Sequence, residues 1–167
     1  MTASPSSHPA VRRVRAALDA HGATGEIRWL DDAVTTAALA AEALGVPVGA
    51  IANSLVFTLG DEPVLVLTSG AHRVDTDFLG ARLGGTLGRA SKETVRDATG
   101  QVIGGVAPVG HPAPVRTYVD TALADHAVVW AAAGHARTVF PTTFDELTRL
   151  TGGTPVAVEP PAARPGG

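Results

Sequence analysis

The feature that most constrains the fold of this chain is a pair of apolar, β-type runs near its middle, residues 51–59 and 63–68. The turn sequence Gly60-Asp61-Glu62 joins them. Two runs of branched apolar residues around a short connection that contains Gly and Asp are typical of an antiparallel hairpin. The sequence therefore predicts a β-hairpin in the middle of the fold.

Helical and strand patterns are interleaved on both sides of this hairpin. Helices are predicted at 9–21, from a cap at Thr35 or Thr36 to 44, at 75–83, from a cap at Ser91 to 98, and from a cap at Thr143 to 150. Further strands are predicted at 26–30, 115–119, 127–132, 137–140 and 155–158. Because the order is not a strict βαβ repeat, we expect a mixed α/β (α+β) fold in which helices wrap a central mixed sheet.

The length and the two ends of the chain indicate one domain. A chain of 167 residues accommodates a single domain at about 100–200 residues per domain. Residues 1–8 and 159–167 are rich in Ser, Pro and Gly and have too little apolar content to order themselves. We therefore expect one domain at 9–158 between two disordered tails.

Composition excludes several kinds of site. The chain has no cysteine, which rules out disulfides, a thiolate nucleophile, zinc ribbons and iron–sulfur sites. Lys92 is its only lysine, so a phosphate-binding loop or a Schiff base would have to use that residue. The sequence contains no dinucleotide fingerprint, G-x-S-x-G elbow or closely spaced histidine pair, and nothing in the pattern supports a metal site.

Charge and hydropathy bear on partners and compartment. The chain has 13 Lys and Arg against 16 Asp and Glu, a net charge of −3, so bulk electrostatic binding of nucleic acid is not expected, while a local arginine patch stays open. No stretch approaches the roughly 20 apolar residues of a membrane span, and the first residues lack the apolar run of a signal peptide. We expect a soluble, cytoplasmic protein without a membrane or DNA partner.

Two features are candidates for chemistry, a polar residue within a strand and a glycine-rich loop. Asn53 shares the more apolar face of the first β-run with Leu55 and Phe57. A buried amide costs free energy unless it is hydrogen-bonded, so Asn53 either bonds a neighbouring loop or faces a pocket. The Gly/Pro composition of loop 104–112 lets a backbone approach a ligand closely, although many surface turns share it.

Other polar residues leave alternatives open. Asp120 follows a predicted strand, where it either acts in a site or caps the next segment. Histidines 72, 111 and 135 lie near predicted loops, which is ordinary for surface histidines. The following arginines either line a phosphate-binding face or are scattered in solvent: Arg73, Arg82, Arg89, Arg116 and Arg137.

An ordered set of short segments resembles a known family. The segments are Gly45-Val46-Pro47, Ile51-Ala52-Asn53-Ser54-Leu55-Val56-Phe57, Gly70-Ala71-His72-Arg73-Val74-Asp75, Gly104-Gly105-Val106-Ala107-Pro108-Val109-Gly110 and Tyr118-Val119-Asp120. Together, over about 29–158, they resemble the YbaK/EbsC family of aminoacyl-tRNA editing domains, which is related to the insertion domain of bacterial prolyl-tRNA synthetase. The resemblance implies a mixed α/β fold with a central pocket.

The resemblance also implies an activity, the hydrolysis of the ester that joins a wrong amino acid to a tRNA. Typical substrates are Ala or Cys on a proline tRNA, and no cofactor or metal is needed. Such editing is a second sieve for amino acids that a synthetase cannot reject by binding alone. In the family's mechanism a terminal ribose hydroxyl and the backbone amides of the glycine-rich loop position water and stabilise the oxyanion.

Candidate site residues follow from the resemblance and the patterns together. The catalytic candidates are Asn53, Gly104, Gly105 and Asp120, and the substrate-binding candidates are Ser54, Arg73, Asp75, Val106, Ala107, Pro108, Gly110 and His135. Many family members carry a lysine where this chain has Asn53, whose amide donates hydrogen bonds but carries no charge.

Three functional hypotheses remain at this stage. The first is a trans-editing deacylase that acts on the 3′ end of an aminoacyl-tRNA, with prolyl-tRNA synthetase as a candidate partner. The second is a non-catalytic module that binds a tRNA end, a synthetase or an aminoacyl ligand. The third is a small-molecule ester or amide hydrolase.

Overall fold

The computed structural model describes residues 8–101 and 105–160. The helices in this part of the chain are α1 (Pro9–Ala20), α2 (Ala37–Leu44), α3 (Thr76–Leu83), α4 (Lys92–Thr99) and α5 (Phe144–Thr151). The strands are β1 (Arg28–Trp29), β2 (Ile51–Leu59), β3 (Glu62–Ser69), β4 (Leu87–Arg89), β5 (Arg116–Asp120), β6 (Val129–Ala132), β7 (Thr138–Thr142) and β8 (Thr154–Val156). Short 3-10 helices lie at Val48–Ala50 and Thr121–Asp125.

Capping side chains set the first residues of four helices, and glycines set their last residues. The side chains of Thr36, Asp75, Ser91 and Thr143 each accept a hydrogen bond from a backbone N–H of the first turn of α2, α3, α4 and α5. Each of these helices ends at a glycine in the left-handed conformation, Gly45, Gly84, Gly100 or Gly152. The predicted caps at Ser91 and Thr143 are confirmed, and Thr36 rather than Thr35 caps α2.

One mixed sheet organises the fold. Its strands lie in the order β1-β7-β6-β2-β3-β5-β8, and β4 pairs with β2 outside this path. The predicted hairpin is β2 and β3, which pair antiparallel from Ala52↔Ser69 to Leu59↔Glu62, so the turn is shorter than predicted. Strands β2 and β6, β3 and β5, and β5 and β8 pair in parallel. The prediction of a mixed α/β fold is confirmed.

Alternating residues of the hairpin pack into hydrophobic clusters on the two faces of the sheet. Leu65 and Leu67 of β3 pack into the largest cluster, which contains the apolar faces of α1, α4 and α5. Val64 and Val66 pack on the opposite face with Leu79 of α3. A third cluster joins α2 to the start of β2. The sheet is thus the middle layer of three, with α1, α4 and α5 on one side and α2 and α3 on the other.

Several predicted bounds are wrong at the edges of the sheet. The strand predicted at 26–30 contains only Arg28 and Trp29, and the last strand ends at Val156. Strand β4 was not predicted, because Gly88 interrupts a run of only three residues and its pairing with Phe57–Leu59 is a tertiary contact.

The predicted tails lie outside the described residues at 1–7 and 161–167. Their inner ends touch the domain. The imidazole of His8 packs edge-on against that of His135, with ring centroids 5.0 Å apart, and Glu159 Oε1 lies 3.5 Å from His72 Nε2. Among the described residues, no helix is long and apolar enough to cross a membrane.

Candidate functional site

The central sheet is split on one side of β2. Strand β3 pairs with β2 along nearly its whole length. On the other side, β6 pairs only with Ile51 and Ala52, and β4 pairs only with Phe57–Leu59. Within the described residues, the stretch 53–56 therefore has no strand partner on that side. A strand edge left open in this way offers backbone N–H and C=O groups to a ligand.

The register fixes which backbone groups face the split. Gly70 N–H donates to Ile51 C=O at 2.8 Å, so Ile51 bonds across to the β3 side. In an antiparallel pair, alternate residues direct their backbone groups to opposite sides. Ser54 and Val56 therefore direct their N–H and C=O groups into the split, between β6 and β4.

A cavity of about 720 Å³ surrounds this open edge. Its volume lies within the roughly 300–1,000 Å³ typical of small-ligand pockets. Both faces of β2 contribute, with the start of α2 on one face and Val95 and Val106 on the other. Polar groups in the lining include Thr36, Asn53, Ser54 and Thr138, and the remaining lining is mostly small or branched apolar side chains.

The adjacent residues Asn53 and Ser54 both line the cavity from opposite faces of β2. Asn53 lies on the face of Ile51, towards α2, so the alternative in which it faces a pocket is the one the structure supports. Ser54 lies on the face of Ala52 and Val56, which pack with Val106. Its Oγ is buried and has no hydrogen-bond partner among the residues that the structure describes. A buried hydroxyl without a partner is uncommon and needs an explanation.

Two arginines lie in the cavity lining. Arg73 precedes α3 and Arg89 ends β4, and both side chains are exposed. The other arginines noted in the sequence have separate environments. Arg116 pairs with Glu62 at 3.6 Å, Arg82 covers the ring of Phe78, and Arg137 covers the ring of Trp29. The cavity lining therefore contains two exposed positive charges.

The glycine-rich loop reaches the cavity through one described residue. Gly104 lies outside the described residues, and Val106 is buried in the cavity wall. Gly105 is packed against the segment 133–136, since a methyl group built on it would lie 2.6 Å from the carbonyl carbon of His135. Its C=O accepts from Gly134 N–H at 2.9 Å. The loop is thus fixed to the end of β6.

The rest of this loop is held by internal hydrogen bonds. Ala107 N–H donates to Gln101 Oε1 at 2.6 Å, and Ala107 C=O accepts from His111 Nε2 at 2.8 Å. Pro108 is buried, and Gly110, at φ +83°, packs directly on Val14 of α1. Three substrate-binding candidates, Ala107, Pro108 and Gly110, therefore support the loop and are absent from the cavity lining.

Gln101 was not identified from the sequence. It is 2% exposed, its Nε2 donates to Val109 C=O at 3.2 Å, and its Oε1 accepts from Ala107 N–H. A single glutamine after the helix-ending Gly100 gives no periodic signal, so only the folded loop reveals its role.

The structure does not bring Asp120 or Asp75 to the cavity. Asp120 is 1% exposed and accepts from Ser69 N–H at 2.9 Å and from Ala122 N–H at 3.0 Å. Asp75 caps α3 by accepting from Phe78 N–H at 3.0 Å. The alternative in which Asp120 caps the next segment is therefore the observed one. Both carboxylates accept hydrogen bonds from backbone N–H groups of turns or helix ends.

The surroundings of Asp120 do not form a nucleophilic triad. His72 Nδ1 lies 2.9 Å from Asp120 Oδ2 beside a small surface cleft of about 230 Å³. Ser69 is near in sequence, but its Oγ donates to Gly49 C=O at 2.9 Å. A serine nucleophile needs its hydroxyl within hydrogen-bond reach of the histidine. This cluster therefore supplies no serine-hydrolase mechanism.

His135 lies beside the cavity at the end of β6. Its backbone N–H donates to Thr138 Oγ1 at 3.1 Å, and Thr138 lines the cavity. Its Nδ1 accepts from Arg137 N–H at 3.0 Å, which leaves the ring proton of the neutral form on Nε2. Burial, followed by the charges of His8 and Arg137, lowers the pKa of His135 below its usual 6.5, so the ring is neutral at pH 7.

Metal-ligating side chains do not gather anywhere in the described part of the chain. Across 8–101 and 105–160, no three His, Asp or Glu side chains lie close enough together to hold a metal ion.

Comparison with known proteins assigns the family. The profile of the aminoacyl-tRNA editing domain matches residues 31–150, so the chain belongs to that family. Among solved structures, a protein proposed to be a trans-editing enzyme for prolyl tRNA synthetase is 38% identical, with a TM-score of 0.86, covering 96% of this chain and 100% of that one. This chain is accordingly an editing domain.

Two further proteins are similar to this chain, one in structure and one in sequence. A structure from work on computational grafting of epitope backbones onto scaffold proteins is 35% identical with a TM-score of 0.85, covering 92% of this chain and 99% of that chain. The uncharacterized protein YwhH of Bacillus subtilis (strain 168) is 28% identical over 127 residues, which is 75% of this chain and 81% of YwhH. The family expected from the sequence is confirmed as an aminoacyl-tRNA editing domain.

Proposed function

We propose that this protein is a trans-acting aminoacyl-tRNA deacylase, which hydrolyses the ester of a small amino acid such as Ala or Cys attached to the wrong tRNA. The observation that supports this most directly is the open edge of β2, where polar Asn53 and Ser54 face a cavity of about 720 Å³ in an editing domain. The solved relative proposed to act with prolyl tRNA synthetase favours a proline tRNA and that synthetase as a partner.

The reaction needs water and a site for the developing charge. The water oxygen bonds to the ester carbonyl carbon, the bond from that carbon to the ribose oxygen breaks, and the ribose leaves as a hydroxyl with the proton from water. Donors fixed in advance around the carbonyl oxygen stabilise the negative charge of the transition state. At the open edge, donors of this kind are the Ser54 backbone N–H, the Asn53 side-chain amide and Ser54 Oγ, which has no partner among the described residues.

In this proposal, the arginines of the cavity bind the RNA and its apolar residues select the amino acid by size. Arg73 and Arg89 attract the phosphate of the terminal nucleotide. Val106 and the small residues of β6 limit the size of the amino acid that enters, which is how a second sieve discriminates. Gly105 keeps Val106 in place through its contact with the His135 backbone.

A panel of mischarged tRNAs tests the proposal. We expect the protein to release Ala, Cys or Ser selectively from a proline tRNA and to spare the correctly charged tRNA. A folded protein that releases none of them would contradict the proposal.

Two serines form a matched pair for the site. Ser54→Ala removes a buried hydroxyl that has no partner among the described residues, so deacylation should fall about tenfold or more while the melting temperature stays or rises. Ser69→Ala removes a buried hydroxyl that bonds Gly49 C=O and Ala71 N–H outside the cavity, so stability should fall while deacylation of the folded protein persists. The reverse pattern would refute the role of Ser54.

One observation favours a second function. Asn53 brings no positive charge to the open edge of β2, and an uncharged amide at that position is compatible with a module that binds an aminoacyl-tRNA end without cleaving it. Asn53→Lys distinguishes the two. Activity that appears only in this variant supports the binding module, whereas activity in the native chain that falls in Asn53→Ala supports the deacylase.

A further inference from the structure

The two tryptophans of the chain occupy different environments. Trp130 lines the cavity and packs against the hydrophobic cluster of α2. Trp29 is half-buried, lies on the two-residue strand β1 at the end of the sheet, and belongs to none of the hydrophobic clusters of the described residues. A tryptophan outside any core is available for an interaction at the surface.

The neighbours of Trp29 are polar rings and a cation. Its ring centroid lies 4.9 Å from that of His135 at an angle of 43°, and the Arg137 guanidinium carbon lies 5.7 Å from the ring centroid. Arg137 Nε donates to Leu30 C=O at 2.8 Å, which holds the guanidinium near the ring. His8 completes the group by its edge-on contact with His135. We call Trp29, His135 and Arg137 the Trp29 cluster.

The Trp29 cluster adjoins the cavity. Trp29 is paired across the sheet with Thr138, which lines the cavity. The backbone of His135 packs on Gly105, the residue before cavity-lining Val106. The Trp29 cluster therefore lies next to two residues of the cavity lining, Thr138 and Val106.

We propose that the Trp29 cluster is a stacking platform for an unpaired nucleobase at the 3′ end of the RNA whose terminal ester enters the cavity. Aromatic faces combined with a cation are the features by which proteins hold single-stranded nucleic acid without reading its sequence. The neutral state of His135 at pH 7 leaves Arg137 as the charge of the cluster. This inference rests on the proposed function for the identity of the RNA, but its test needs no hydrolysis.

The test measures binding of uncharged RNA hairpins. One hairpin carries a four-nucleotide 3′ overhang and the other has a blunt end with the same stem. We expect the native protein to bind the overhang hairpin at least about fivefold more tightly, as one stacked base provides. Trp29→Ala should abolish this preference, and Trp29→Phe, which keeps an aromatic face, should retain most of it.

Arg116→Ala is the matched control for loss of an exposed positive charge. Arg116 lies on β5, five strands away from β1 in the sheet. Its removal should leave the preference for the overhang unchanged, while Arg137→Gln should reduce it. Circular dichroism confirms that each variant is folded before its binding is compared.

Tryptophan fluorescence gives a readout that a structural role would not move. Stacking on Trp29 should quench the emission of the native protein on addition of the overhang hairpin, and the quenching should be weaker in Trp29→Phe, where the remaining tryptophan is Trp130 of the cavity lining. An overhang preference that survives in Trp29→Ala, quenching as strong in Trp29→Phe as in the native protein, or no preference in the native protein would overturn the proposal. Deacylation in the tRNA panel with any of these results would leave the proposed function standing and the platform refuted.

Discussion

Replacing Asp120 by Asn distinguishes a structural from a catalytic carboxylate. Oδ2 of Asp120 accepts from Ser69 N–H at 2.9 Å, from Thr68 Oγ1 at 3.3 Å and from His72 Nδ1, while Oδ1 accepts from Ala122 N–H at 3.0 Å. An Asn side chain has one oxygen, so its NH₂ group must face one of the two backbone N–H donors. Asp120→Asn therefore loses a charge-assisted hydrogen bond and leaves a buried donor without a partner.

The expected cost follows from these contacts. A hydrogen bond to a charged group contributes about 1.5–3 kcal/mol, and an unsatisfied buried donor costs about 1–3 kcal/mol. The free energy of unfolding should therefore fall by about 2.5–6 kcal/mol. For a chain of this size that corresponds to roughly 5–24 °C in melting temperature.

Asp75→Asn is the matched control for the same chemical change. Asp75 is exposed and caps α3 through one oxygen, and Asn caps helices about as well as Asp, so its cost should stay below about 1 kcal/mol. Thermal unfolding measures both variants, and deacylation is assayed at a temperature where both are folded. An Asp120→Asn variant that melts within about 2 °C of the native protein yet has lost its deacylation would show that the carboxylate is catalytic.

Three further perturbations follow from the loop and its neighbours. Gly105→Ala places a methyl 2.6 Å from the backbone of His135, so deacylation and melting temperature should fall together, and an unchanged melting temperature would contradict the contact. Gly110→Ala combines φ +83° with a 3.0 Å approach to Val14, so it should destabilise the protein while the folded fraction keeps its KM. Burial lowers the pKa of His111, although its hydrogen bond to a backbone carbonyl opposes this effect. The neutral imidazole therefore stabilises the fold at pH values above 6.5, the pKa in the unfolded state, and this stabilisation is lost as the pH falls below 6.5. The free energy of unfolding, measured as a function of pH, should fall in the native protein over this range and fall less in His111→Gln. Equal slopes against pH in the two proteins would refute this role of His111.

Local chemistry in the sequence predicted much of the fold. Capping side chains such as Ser91 and Thr143 and the glycines that end the helices act over three or four residues, so the sequence contains the whole signal. The hairpin was predictable for the same reason. Strand β4 was not, because three residues around Gly88 become a strand only by pairing with Phe57–Leu59.

The candidate site was only partly predictable because it depends on where distant strands stop pairing. Asn53, Ser54, Arg73 and Val106 were identified and line one cavity. Asp120 is the last residue of β5, one position from where it was expected, but its carboxylate accepts from the backbone of a buried turn, which sequence order does not specify. The surroundings of Trp29 depend on three separate segments, and no spacing in the chain indicates them.

The polar pair of β2 lies where the sheet is open. Asn53 and Ser54 interrupt the apolar run of β2 within the stretch that has no partner on one side among the described residues. Ser54 gains no hydrogen bond for its buried hydroxyl from that part of the chain, so it does not stabilise the fold. An apolar residue there would pack at no such cost. A residue that weakens its own strand and faces a cavity is best explained by a ligand that supplies the missing partner, and positions where local preference and fold disagree are where function is expected.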